Sequence, residues 1–201
     1  MKRHEVPEIN TGSMADIAFL LLIFFLVTTT LEIDSRISLK IPPKNDIVNK
    51  TIVKNKNILE ILINKKNELF VENEIIEISN LKQIAIDFID NGGGKDINNT
   101  ICDWCKGYRL PTSSDHPSKA VIYLKSDRAT SYETYISVLD QLNSAYMNLR
   151  NKLEIQIYNQ DYKSMIDDFK SSNKTDIDLQ NKINLIRQKY PLLISDAESI
   201  E

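Results

Sequence analysis

The chain is poor in the residues that most water-borne chemistry uses. Only two histidines and two cysteines occur in 201 residues, and a structural zinc site takes four ligands, so no metal is expected. His4 stands beside an apolar run and His116 in an irregular stretch, and no catalytic constellation gathers around either. No glycine-rich turn follows a strand in the manner of a phosphate cradle, because "GGGKD" (92–96) follows a helical pattern instead. Neither enzymatic activity nor a resident cofactor is expected. A basic excess is missing too: 25 Lys and Arg against 28 Asp and Glu leave a net charge of −3. With a pI near 5.5, that balance argues against a nucleic-acid binder.

Long apolar runs are absent, with one exception. "IAFLLLIFFLV" (17–27) holds no charge, while the rest of the chain is dense in Lys, Asn, Asp and Glu. Eleven residues match a signal-peptide core as well as a short membrane span. The flanks favour a span, since "TTTLEID" follows where a cleavable signal needs small residues, and Glu5, Glu8 and Asp16 precede the core. Met14 to Leu31 as helix gives roughly 27 Å at about 1.5 Å per residue, close to a hydrocarbon core of about 30 Å. Threonine hydroxyls can return to carbonyls one turn earlier and so do not break such a helix. The expected organisation is a cytoplasmic tail (1–12), a transmembrane helix (13–31), and an extended linker (32–56) stiffened by Pro42-Pro43. Lys2, Arg3 and His4 before the span favour an inward N-terminus, against a weak counter-signal from Arg36, Lys40 and Lys44.

Beyond the linker the periods change. "NILEILI" (57–63) alternates, "NKKN" turns, and "ELFV" and "EIIEI" resume strand-like content. Leu81, Ile84, Ala85, Phe88 and Ile89 share a helical face that Asn91-Gly92 ends. Residues 92–118 have no period and form a loop long for a compact domain. "KAVIYLK" (119–125) reads as a buried strand, and 131–149 as a helix with Tyr135, Ile136, Leu139, Leu142, Ala145, Tyr146 and Leu149 on its apolar face. "LEIQIY" (153–158) alternates like a closing strand. These elements predict an α+β fold: a small α/β-sandwich domain over 57–160 with the 92–118 insertion, then a helical tail over 161–201. In that tail "TDIDLQNKINLIRQKY" (175–190) is an amphipathic helix with Thr175 and Asp178 at capping-box spacing.

Two features carry chemistry. Cys102 and Cys105 form "CDWC", which can be a redox dithiol, half a metal site or a local disulfide. In an oxidising compartment a disulfide stapling the loop is the plainest reading, with free thiols the alternative. Asp16 is the other. Ser13-Met14-Ala15-Asp16 has capping-box spacing, which would make Ser13 the N-cap and the carboxylate a first-turn partner of the helix dipole. Yet an acid near a bilayer centre costs about 2.5–3.5 kcal/mol. A proton-carrying acid there could tap the membrane potential, about 2.3 kcal/mol per charge per 100 mV. One helix cannot enclose a proton path, so partner helices would have to meet the Asp16 face, which carries Leu20, Ile23, Phe24 and Val27.

"PEINTGSMADIAFLLLIFFLVTT" (7–29) resembles the N-terminal signature of the ExbD/TolR biopolymer-transport family. The matching positions are Pro7, Ile9, Asn10, Met14, Asp16, Phe24, Phe25, Val27 and Thr28. "LKIPP" and "AVIYLKSDRATSYETYISVLDQL" (120–142) are similar to later parts of the same family. The family's proline before the methionine is Ser13 here, and the 92–118 insertion and the tail beyond 160 have no counterpart in its short members. The resemblance implies a proton-motive-force transducer of the bacterial inner membrane. It implies a homodimer of single spans inside a pentameric ExbB/TolQ-like multi-span partner, with Asp16 the protonatable residue. It also implies a periplasmic domain acting on a TonB-like protein that serves outer-membrane transport. A TolR-like role in envelope integrity is a second reading. A membrane-tethered periplasmic binding module, with Asp16 only a cap, is a third.

Overall fold

A computed structural model describes residues 11–28 and 55–200. Expectations for residues 1–10, for 29–31 of the span and for the linker as far as Lys54 lie outside the described residues. Met1–Ser38 and Leu39–Glu201 form two compact units.

In the first unit, α1 runs over Thr11–Thr28. Its start corrects the expected cap. Ser13 lies inside the helix instead of before it, and no acid falls in the first turn. Among the described residues no helix is long and apolar enough to cross a membrane. The 18 residues of α1 amount to roughly 27 Å.

The second unit is a five-stranded mixed sheet backed by helices. Its strands are β1 (Ile58–Ile63), β2 (Leu69–Val71), β3 (Glu74–Ile76), β4 (Val121–Asp127) and β5 (Ile194–Ile200), in the order β3-β2-β1-β4-β5. The first three form an antiparallel meander, and β1, β4 and β5 run parallel. The first hairpin turns through Asn64–Asn67 as "NKKN" predicts. The Asn64 side chain accepts from the amides of Lys66 and Glu68, and Asn67 takes a positive φ of 64°. Glu72 and Asn73 both have positive φ, which gives β2–β3 the twist of a two-residue primed turn.

Alternation sorts the strands into two faces. Leu59, Ile61, Ile63, Leu69, Val71, Ile122 and Leu124 point into the core. There they meet α2 (Ile78–Ile89) and α3 (Tyr132–Tyr158) through Leu81, Ala85, Phe88, Ile89, Leu139, Leu142, Ala145 and Leu149. The helical faces read from sequence are the ones buried, with Ile86 and Val138 added and Ile84, Tyr135 and Ile136 only half-buried. On the other face Ile58, Leu62, Phe70, Val121 and Tyr123 are half-buried.

The C-terminal third departs most from the sequence reading. "LEIQIY" is the end of α3, not a strand. Between Leu142 and Tyr158 no glycine or proline interrupts the helix. Leu142, Tyr146, Leu149 and Leu153 continue its buried stripe, and Asn159 in the left-handed region terminates it. Alternation misleads here, since Ile155 and Ile157 stay exposed on the helix and the preceding stripe decides. Nor is 161–201 a tail outside the domain. It forms α4 (Tyr162–Ser171), α5 (Ile177–Lys189) and β5, and Tyr162, Met165, Ile183, Ile186, Tyr190 and Ile194 are buried in the common core. The cap of α5 is also corrected. Asp176 accepts from the Leu179 amide, while the Thr175 hydroxyl donates to the Ser172 carbonyl. Truncating a buried isoleucine costs about 2–5 kcal/mol. Ile186→Ala and Ile194→Ala should each lower the stability of the whole domain by that amount in urea unfolding, whereas an independent tail would leave it unchanged.

Candidate functional site

In α1 every described side chain is exposed. Ile17, Phe19, Leu20, Leu21, Leu22, Ile23, Phe24 and Phe25 are all large exposed apolar groups, and they surround the helix instead of forming one stripe. A helix apolar on all sides belongs in a protein interior or in lipid. Asp16 is its single charged residue. It stands five residues after the first described one, roughly 7.5 Å along the axis. A helix-terminus interaction fades within the first turn, so the cap reading of Asp16 loses its geometry. Leu20, Ile23 and Phe24 follow on its face by the helical period, and the Val27 side chain lies outside the described residues. Phe24 and Phe25 meet edge to face with centroids 5.7 Å apart.

In the domain, the 92–118 insertion is pinned and packed. Cys102 and Cys105 are buried and joined by a disulfide, with Cα atoms 5.5 Å apart. Gly92 makes room for it: its φ is +61°, and a Cβ there would sit 2.9 Å from the Cys105 Cβ. The Asn91 amide donates to the carbonyls of Leu110 and Ser114, and its oxygen accepts from the Leu110 amide. Asn57, just before β1, donates to the Asp115 carboxylate at 3.1 Å and accepts from the Asp115 amide at 2.7 Å. A segment without period is thus ordered by side chains replacing backbone ladders.

His116 is buried within the insertion. Its Nδ1 accepts from the Ser118 amide at 3.1 Å, and its ring meets Trp104 edge-on at 5.3 Å. Burial holds its pKa below the ordinary value. The Lys189 ammonium, at the end of α5, lies 3.5 Å from the Trp104 ring centroid, a cation–π contact between the insertion and the C-terminal helices. Among the described residues no group of three or more His, Cys, Asp or Glu could hold a metal ion.

Besides Asp115, two carboxylates that sequence reasoning passed over are buried. Asp90 ends α2. Its carboxylate accepts from the Tyr190 hydroxyl at 2.6 Å and the Lys106 amide at 3.1 Å. Burial raises its pKa, while these two bonds pull it back. Glu154, on α3, is 0 % exposed, and neither of its oxygens has a hydrogen-bond partner. Burial, with a smaller push from the negative Asp161, raises its pKa to about 7. The available signal for Glu154 was its place beside Leu153 on the stripe that continues from Leu149.

The family model for "Biopolymer transport protein ExbD/TolR" matches residues 2–156. That match covers α1 through most of α3, and the chain belongs to the ExbD/TolR family. No curated protein matches it significantly. Membership implies energisation of biopolymer transport, and proteins of this family are membrane-anchored and work with ExbB/TolQ-like partners. The matched region ends two residues before α3 does, so α4, α5 and β5 lie beyond it.

Two tests follow from the buried acids. Removing one partner of a buried hydrogen bond costs about 1–3 kcal/mol, so Tyr190→Phe should lower the urea midpoint by a corresponding amount. Glu154 is raised on folding from 4.5 to about 7. Its contribution to stability is therefore fully present below the unfolded value of about 4.5 and lost as pH rises through about 7. Between about pH 5 and pH 8 the native chain should lose stability relative to Glu154→Gln, measured by urea unfolding at both values.

Proposed function

We propose that this chain is the proton-motive-force transducing subunit of an inner-membrane ExbB–ExbD-type motor that energises TonB-dependent outer-membrane transport. The observation that carries the reading is Asp16: the one charged residue of an otherwise apolar helix, past the first turn and exposed. A carboxylate in that setting is stable only if a partner or a proton satisfies it. A multi-span ExbB/TolQ-like assembly, a pentamer around two copies of this helix, supplies the partner. Leu20, Ile23, Phe24 and Val27 form the face that meets it. A proton taken up and released at Asp16 moves charge through the membrane field and turns one part of the assembly against the other.

In this reading α1, continued through residues 29–31, is the single membrane span. The N-terminus is cytoplasmic and the mixed-sheet domain is periplasmic. The Cys102–Cys105 disulfide supports the second placement, because such bonds persist in the periplasm and are rare in the cytosol. The domain passes motion to a TonB-like protein, and the chain carries out no enzymatic step.

Replacing the carboxyl tests the reading directly. With Asp16→Asn, TonB-dependent uptake should fall to the level of cells lacking the protein, while the chain still co-purifies with its multi-span partner. Asp16→Glu keeps the charge but moves it by one methylene and should retain part of the uptake. Full uptake with Asp16→Asn would reduce α1 to a tether. Normal uptake with detergent-sensitive cells would point to the TolR-like role.

A further inference from the structure

We propose that the cleft between the β1–β3 corner of the sheet, the C-terminal half of α2 and the disulfide-anchored insertion docks an extended segment of a partner protein. That segment carries a large apolar side chain flanked by Lys or Arg. The cleft measures about 400 Å³, within the usual range for a binding pocket of roughly 300–1,000 Å³. Its floor is apolar, with Leu59, Val71, Phe88 and Leu110 among the lining residues.

The charged residues that line the cleft have one sign. Glu72, Glu74 and Asp87 line the cleft, and none of its lining residues is Lys or Arg. All three carboxylates lie on exposed residues, so a bound cation can meet them without desolvating a buried ion pair. The helix adds to the same field. α2 ends at Ile89, and Phe88 and Asn91 belong to the lining, which places the partly negative end of the helix beside the cleft. Tyr108, 79 % exposed, also lines it and offers an aromatic face to a cationic side chain. Carboxylates, helix terminus and aromatic ring all select against an acidic ligand.

The cleft is also preformed. Its insertion wall is held by the Asn91 bonds to Leu110 and Ser114 and by the Ser114 hydroxyl, which donates to the Phe88 carbonyl. Binding therefore orders only the incoming peptide, which lowers the entropy cost. The site shares no residue with α1, so its occupancy and the proton role of Asp16 can be tested separately.

The test uses the full chain in detergent micelles and a fluorescein-labelled peptide, Gly-Lys-Lys-Phe-Lys-Lys-Gly, read by fluorescence anisotropy. Two controls carry Glu for every Lys, or Ser for Phe. The lysine–phenylalanine peptide should bind, both controls should bind about tenfold more weakly or not at all, and added salt should weaken the complex. The triple variant Glu72→Lys, Glu74→Lys, Asp87→Lys should lose about tenfold in affinity for the basic peptide and gain affinity for the acidic one. Urea unfolding of the triple variant checks that the domain remains folded. Asp16→Asn should bind the basic peptide like the native chain, so a failure here leaves the transducer reading standing. Equal binding of basic and acidic peptides, or no change in the triple variant, would overturn the proposal. So would a charge reversal that changes self-association in sedimentation while no peptide binds, since the occupant would then be a second copy.

Discussion

One buried hydrogen bond, from the Tyr190 hydroxyl to the Asp90 carboxylate, spans 100 residues of sequence and holds three parts of the domain at one point. Asp90 closes α2. Its second oxygen accepts from the Lys106 amide, and its carbonyl from the Gly107 amide, so the insertion hangs on the same residue. Tyr190 closes α5, and its carbonyl accepts two bonds from the Arg150 guanidinium on α3. Burial raises the pKa of the tyrosine, and the neighbouring carboxylate raises it further. The hydroxyl accordingly remains a donor across the ordinary pH range. Four residues later β5 begins and pairs with β4. The sheet edge, the insertion and the last helices therefore depend on a polar contact in a place where an unpaired carboxylate would be costly.

Local pattern made much of this fold legible. Ile58–Ile63, "NKKN" and the Leu81–Ile89 face each carry a period or a turn signal that belongs to a few neighbouring residues. So does the apolar run of α1, down to the single acid in it. What stayed hidden is what distant residues decide together. "LEIQIY" alternates like a strand, and only the stripe from Leu142 onward selects the helix. The strand at 194–200 has little apolar content of its own, "ISDAESI". It exists because the β4 edge offers a parallel partner for it. The insertion has no period because its order comes from Asn57, Asn91 and Asp115 bonding across the chain. Side chains of that type read as loop in any local window. Asp90 and Glu154 are invisible for a similar reason, since a lone carboxylate in sequence is ordinarily a solvated one.

The two candidate sites use opposite electrostatic arrangements. In α1 one carboxylate stands alone among apolar side chains. In the domain cleft three carboxylates cluster at an exposed rim, where water screens them and a passing cation can use them. The lone acid is the group to which the proposed transducer reading assigns the proton. A clustered, solvated rim suits recognition.

The described part of the domain begins at Asn55, three residues before β1, the central strand of the sheet. The residues just before it are tied sideways. Lys56 donates to the Pro111 carbonyl and pairs with Asp115, and Asn57 exchanges two bonds with Asp115. A pull along β1 would bear on its pairing with β2 and β4. It also draws directly on the insertion, through Pro111 and Asp115, and so on the wall of the acidic cleft that Leu110 and Ser113 provide. The strand that receives the load and the loop that shapes the cleft are joined by the same few bonds. A displacement of β1 large enough to break the Asn57–Asp115 pair cannot leave the cleft unchanged.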